Sequence, residues 1–292
     1  MKRLLRKIVP KKIWYMLSIF KRIIIPNGAK NLKSINFIKN YENVIVLGNG
    51  PSLNNDLEQI ADKVGTHDFV CVNNFCSSPY YKIFRPSMYI FLDGYFFVEK
   101  AHPEWIEQRR KTFNIINKET IWDMKIFLPA GADENILKKF IKNTKIEIIK
   151  INVFQTNHLN LYNTGYWGPG QCNVLIYAVY LSIWTKYKNI EIYGADLSFH
   201  KDIDVDQNDN SLIMIFKHFN KEDEIKKCMK NPERIIPFTM TEIMDTTMQT
   251  FQAHEILEKY AFSKNINIVN LSSYSLIDAY KRESSFIEQE EN

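Results

Sequence analysis

The clearest chemistry in this chain lies in Gly48-Asn49-Gly50-Pro51-Ser52, directly after the apolar run Val44–Leu47. A strand ending in such a turn presents backbone amides and a Ser hydroxyl that suit a phosphate, above all where a helix begins. Glycines at the turn let the backbone approach a ligand closely. The pattern is not the dinucleotide fingerprint, which would need a glycine at Leu53, and it lacks the Gly-Lys-Ser/Thr of a P-loop. Further polar residues stand after other apolar runs. Asn73 and Asn74 follow 68–72, Asp93 follows 88–92, and Asp196 follows 190–193. An Asn side chain offers a donor and an acceptor without charge, suited to a base edge or a ribose. Any one of these residues could be a cap or a turn former; their recurrence after successive strands points to a shared binding crevice.

The elements that would position them alternate. Strands are predicted at 44–47, 68–72, 88–92, 120–127, 145–153, 190–193 and 267–271. Helices are predicted at 56–63, 172–185 and 244–261, the second from the helical spacing of Val174, Leu175, Ala178, Leu181 and Trp184. Strands alternating with helices predict an α/β fold: a single Rossmann-like, doubly wound, mostly parallel sheet. The polar segment 199–237 reads as an inserted lid within a domain formed by 41–198 and 238–282. A basic amphipathic segment (1–40) precedes it and a polar tail (283–292) follows.

With 292 residues, 45% hydrophobic and 13% aromatic, the chain can bury a substantial core. Its net charge of +5 is too mild and too local to argue for nucleic acid. The basic excess is N-terminal: Lys2, Arg3, Arg6, Lys7, Lys11, Lys12, Lys21 and Arg22 precede the first acid, Glu42. No apolar run there is long enough to span a bilayer, and no signal-peptide core is present. The expectation is a cytoplasmic protein held peripherally on the anionic inner membrane leaflet, with Trp14 and Tyr15 at the headgroups. Four scattered cysteines form neither a zinc pattern nor a disulfide framework. The Asp202–Asp209 run fails as a calcium loop, with Gln207 at its sixth position and Ile213 at its twelfth. No metal site is expected.

Three motifs resemble the bacterial lipooligosaccharide sialyltransferases and related surface-polysaccharide proteins. They are Val44-Ile-Val-Leu-Gly-Asn-Gly-Pro-Ser-Leu53, Val72-Asn-Asn-Phe75, and Tyr187-Lys-Asn-Ile-Glu-Ile-Tyr-Gly-Ala-Asp-Leu197. The resemblance spans about 43–279 and implies a Rossmann-like domain with a lid that binds a CMP-sugar donor, without cofactor or obligatory metal. It implies that Asn49, Gly50 and Ser52, with Gly48, lie near the cytidine and phosphate. It further implies that Asn73, with Asn74, contacts the sugar nucleotide, and that Asp93 stands where the family has a nucleotide-contacting Asn. Gly168 and Gly170 resemble a donor-contacting turn. The family's general-base His precedes the late helix; here motif order puts Asp245 there. His200 and His218 are alternative bases, and Tyr162 and Tyr166 could hydrogen-bond a departing phosphate. The implied function is glycosyl transfer, of sialic acid or a related acidic sugar, to a lipid-linked or surface glycan, with a homo-oligomer possible. The Gly-Asn-Gly-Pro-Ser-Leu signature is shared with pterin pyrophosphokinase-like proteins. A metal-dependent phosphate transferase, served by Asp93 and Asp196, and a non-catalytic assembly partner therefore remain open.

Overall fold

The structure is a computed structural model that describes residues 28–170, 172–218 and 221–282. The leader 1–27 and the tail from 283 onward lie outside the described residues, and with them the amphipathic-anchor expectation.

A seven-stranded parallel sheet forms the centre. Its strands are β1 (Asn43–Leu47), β2 (His67–Val72), β3 (Met88–Ile90), β4 (Met124–Pro129), β5 (Ile146–Ile151), β8 (Asn189–Tyr193) and β12 (Asn267–Asn270), in spatial order β12-β8-β1-β2-β3-β4-β5. Two short strands, β6 (Phe154–Gln155) and β7 (Trp167–Gly168), pair beside it. In register, Leu47 of β1 lies between Cys71 of β2 and Tyr193 of β8. From β1 the chain winds outward in one direction through β5, and the later strands β8 and β12 are laid down on the other side. The reversal point therefore falls between β1 and β8, where open α/β sheets bind ligands.

The strands read as continuous apolar runs because both faces are covered. Val44 and Val46 point into one core with Val70, Ile190 and Ile192, while Ile45 and Leu47 point into the other with Phe69 and Cys71. The first face packs α6 (Val174–Trp184) and α7 (Met240–Phe262). The second packs α1 (Leu53–Ala61) and α3 (Pro103–Glu119). The short helices α2 (Tyr81–Phe84), α4 (Glu134–Lys138) and α5 (Leu159–Tyr162) fill the connections. Helix α6 is buried from Leu175 through Ile183, which explains its nearly uniform apolarity. Helix α7 starts four residues before its predicted start, at a capping box in which Thr239 and Glu242 exchange hydrogen bonds.

Helix α3 was missed by the apolar-run reading, and the strand predicted at 120–127 starts instead at Met124. Thr120 is the C-cap of α3, its hydroxyl bonded to Ile116 O. Within 199–237 a meander of β9 (Ile203–Val205), β10 (Leu212–His218) and β11 (Lys221–Lys227) forms a separate antiparallel sheet. Its small core joins Leu212, Met214 and Cys228 to Ile243 of α7.

Candidate active site at the carboxyl ends of the strands

A cavity of about 710 Å³ lies at the reversal point. Its floor comes from the carboxyl ends of β1 (Gly48–Pro51), β2 (Val72–Asn74), β3 (Asp93–Tyr95) and β8 (Gly194–Ser198), its wall from Trp105 and the start of α6, and its roof from the small sheet and the strap after it. Five strand-end polar residues anticipated from sequence, Asn49, Asn73, Asn74, Asp93 and Asp196, thus meet at one place.

The glycine turn has a different purpose from the one expected. The amides of Gly48 and Gly50 donate to the Tyr193 and Gly194 carbonyls, that of Ser52 to Asp196 Oδ1, and that of Leu53 to Gly50 O. Ser52 Oγ donates to Asp196 Oδ2 at 2.6 Å, and Ser52 is buried. A Cβ on Gly48 would lie 2.2 Å from Gly194 O, and one on Gly50 would lie 2.0 Å from Asp196 Oδ2. The glycines therefore let the ends of β1 and β8 interlock. The structure places Ser52 as the partner of Asp196, and the amides of Gly48, Gly50, Ser52 and Leu53 are spent inside the protein. Burial raises the Asp196 pKa, and the two bonds from Ser52 oppose that rise.

The floor is rich in acceptors. Asn49 Nδ2 donates to Val72 O at 3.2 Å; a carbonyl can only accept, so the amide nitrogen must face it. Asn73, at φ +47°, donates Nδ2 to Asp93 Oδ2 at 2.9 Å. Both Asn side chains leave Oδ1 buried without a partner among the described residues. Asp93 is exposed to the cavity, and desolvation beneath the roof raises its pKa, the Asn73 bond opposing the rise. Asn74 lines the cavity too, and its amide is engaged at both ends: Nδ2 donates to Tyr95 Oη at 3.2 Å and Oδ1 accepts from Thr112 Oγ1 at 2.8 Å. It thereby positions the Tyr95 ring beside the cavity. Arg109, buried behind this loop, donates to Tyr95 O at 2.7 Å and to Val98 O.

The roof is cationic. Lys226, Lys227, Lys230 and Arg234 line the cavity, whereas Asp209, Glu242 and Glu104, which pair with the last three, do not. The Arg234 guanidinium sits 5.7 Å from the Trp105 ring centre. Asn173 caps α6 by accepting from Leu175 N at 2.8 Å, so this 11-residue helix opens onto the same space. Its positive N-terminal end favours an anion there.

Other expected residues are not brought to the cavity. Tyr162 is fully buried in the core, donating to Thr156 O at 2.8 Å and set edge-on to Tyr180 and Tyr260. It has no path to a ligand. Tyr166 is exposed and does not line the cavity. Gly168 packs under Tyr180 and Val153, and Gly170 against Gln155, and neither lines the cavity. Asp245 and His200 sit just outside, while their neighbours Ile243, Thr246, Phe199 and Asp202 line the wall. Asp245 Oδ2 accepts from Gln249 Nε2 at 2.7 Å, and His200 Nδ1 is buried without a partner among the described residues. The side chain of His218 lies outside the described residues.

No family model matches the chain, and no curated protein matches it. Among solved structures it is similar to the MAf glycosyltransferase of Magnetospirillum magneticum AMB-1, at 11% identity and TM-score 0.48. That match covers 92% of this chain but only 38% of the larger protein. It is also similar to the monofunctional alpha-2,3-sialyltransferase Cst-I of Campylobacter jejuni, at 17% identity and TM-score 0.45, covering 85% of this chain and 82% of that one. A third is the sialyltransferase CstII of Campylobacter jejuni in complex with the substrate analogue cytidine-5'-monophosphate, at 16% identity and TM-score 0.41, covering 85% and 86%. At such scores these likenesses carry no functional argument.

The segment 199–237 was read as a lid, but none of its lysines or arginine was singled out from sequence. Lys226, Lys230 and Arg234 sit in that segment, whose acids outnumber its bases; the only signal in sequence was the local cluster of Lys226, Lys227, Lys230 and Arg234. Trp105 belongs to the overlooked helix α3. Among the described residues, no group of three or more His, Cys, Asp or Glu could hold a metal ion, and no helix is long and apolar enough to cross a membrane.

Proposed function

We propose that this protein is a glycosyltransferase that moves an acidic sugar from a CMP-sugar to a cell-surface glycan. One observation carries the reading: an acceptor-rich floor (Asn49, Asn73, Asp93) faces a roof of lysines and an arginine across a 710 Å³ cavity at the sheet's reversal point. A ligand complementary to it has hydroxyl or amino donors at one end and anionic groups at the other. Ribose and cytosine supply the donors; the phosphate and the carboxylate of an acidic sugar supply the charge. The three sequence motifs favour the same class.

In this reading the ribose or base completes the orphaned Asn oxygens, which otherwise cost roughly 1–3 kcal/mol each. The departing CMP phosphate is held by the roof cations and the α6 N-terminus, which stabilise charge as the glycosidic bond breaks. The acceptor hydroxyl gives its proton to Asp245 or His200 at the rim. Donor turnover by Asp245→Asn and His200→Asn separates the two: loss of about 100-fold or more in kcat marks the base.

The primary test is calorimetric binding of CMP, CDP, UDP, GDP and ATP, each with and without Mg²⁺. Metal-independent binding of CMP supports the transferase. Preference for ATP with Mg²⁺ overturns it in favour of phosphate transfer, and no binding by any nucleotide favours a non-catalytic partner.

A further inference from the structure

A second concavity, of about 870 Å³, lies at the opposite, amino ends of β1, β8 and β12. Among the described residues, five lysines line it (Lys33, Lys39, Lys186, Lys188 and Lys264), and no Asp or Glu does. Between them stand apolar and aromatic side chains, among them Phe37, Ile183, Trp184, Tyr187 and Tyr260. Two of the lysines have a plain structural explanation. Lys186 and Lys264 follow the C-termini of α6 and α7, where a cation offsets the helix dipole. The other three come from the segment leading into β1 and from the start of β8, so dipole compensation does not account for them.

The charge is also left largely unbalanced. Lys39 and Lys188 share a single carboxylate, Glu42, at 3.1 and 3.6 Å. Among the described residues, Lys33 and Lys186 make no ion pair, and Lys264 faces only the Tyr260 ring. A greasy floor under a cationic rim complements an amphiphile with an anionic head.

We propose that this groove is a membrane-docking site that seats the phosphate headgroup of an anionic phospholipid. The lysines hold the phosphate and the aromatic floor takes the first part of the acyl chain. The leader is a poor alternative occupant, since residues 1–27 carry eight Lys and Arg and no acid and so bear the same sign as the rim. Leader and rim are instead drawn to the same anionic surface. The site is independent of the crevice and of the identity of the sugar donor.

The test is sedimentation of the full-length protein with phosphatidylcholine vesicles containing 30% phosphatidylglycerol, against pure phosphatidylcholine vesicles. The groove variant is Lys33→Gln/Lys186→Gln/Lys264→Gln; the control removes three exposed lysines elsewhere, Lys111→Gln/Lys118→Gln/Lys142→Gln. At about 1 kcal/mol per lysine near an anionic surface, the groove variant should lose roughly 100-fold in partition coefficient at low salt. The control should lose much less, and nucleotide binding should be unchanged in both. Equal loss in the two variants would reduce the effect to net charge and overturn the site. So would wild-type binding that ignores phosphatidylglycerol, or a groove variant that binds like wild type, as it would if the leader filled the groove.

Discussion

Replacing Gly50 by Ala tests what the glycine turn is for. Gly50 does not need a positive φ, so alanine meets no backbone strain there. The added Cβ, however, would lie 2.0 Å from Asp196 Oδ2 and 2.7 Å from Gly194 O. Asp196 cannot swing away freely, because Ser52 holds both carboxylate oxygens, through its amide at 3.1 Å and its hydroxyl at 2.6 Å. Overpacking alone costs about 1–3 kcal/mol. Giving up one charge-assisted bond adds about 1.5–3 kcal/mol. A net loss near 3 kcal/mol should lower Tm by about 5–10 °C in a chain of this size. Thermal and urea unfolding followed by circular dichroism would measure it. Gly131→Ala is the control: nothing lies within 4 Å of its Cβ, and stability should stay the same or rise slightly. If Gly50→Ala melts with wild type yet loses nucleotide binding, the glycine serves the ligand and the interlock argument is wrong.

Three further outcomes are expected. Asn73→Ala should weaken nucleotide binding about tenfold, at one lost hydrogen bond, and should also lower Tm by a few degrees, because alanine is strained at φ +47° and the bond to Asp93 is lost; calorimetry decides, and unchanged affinity would remove the floor from the site. Arg109→Met leaves the carbonyls of Tyr95 and Val98 without their buried donor and should cost about 2–4 kcal/mol in urea unfolding, releasing the loop that carries Tyr95. His254 is fully buried and its pKa is depressed to about 3, so only the unfolded chain takes up its proton as pH falls below about 6.5. Its contribution is full above pH 6.5 and is lost towards pH 3, a loss of up to about 5 kcal/mol by linkage. His254→Gln should therefore flatten the stability profile between pH 6.5 and 4, and an unaltered slope would place the titration elsewhere.

The sheet was legible because burial on both faces writes strands as uninterrupted β-branched and aromatic runs, as in Val44–Leu47 and Ile190–Tyr193. The polar residues after those runs were legible as a set for the same reason: parallel strands end on one side. What each did was not. Ser52 and Asp196 are 144 positions apart, and only the β1–β8 register makes them partners, so a turn that looks like a phosphate cradle is closed by protein groups. Helix α3 was hidden because its buried face, Arg109, Thr112, Phe113 and Ile116, includes two polar residues that hold loops. Tyr162 lay in a loop-like, Gly- and Asn-rich stretch that suggested exposure, yet its neighbours Tyr180 and Tyr260 enclose it from helices far along the chain.

With the amides of Gly48, Gly50, Ser52 and Leu53 committed, anionic parts of a ligand fall to the roof cations and the α6 N-terminus, and this makes Glu104 informative. At the start of α3, its Oε2 lies 3.2 Å from Arg234 and 3.8 Å from Lys226, while the carboxylate itself stands outside the cavity. It is 60% exposed, so these pairs add little stability and Glu104→Gln should leave Tm within a degree or two. It does compete with a phosphate for the same guanidinium. Arg234 keeps its place without it, because the Trp105 ring stacks beneath it and His102 N donates to Pro232 O at 2.8 Å, pinning the strap. Glu104→Gln should then tighten nucleotide binding by roughly two- to fivefold at low salt, with the gain fading as salt screens the charge. Weaker binding would mean that the carboxylate orients Arg234 for the phosphate. Unchanged binding at every salt concentration would mean that the anion does not reach Arg234, and the roof would lose its part in the site.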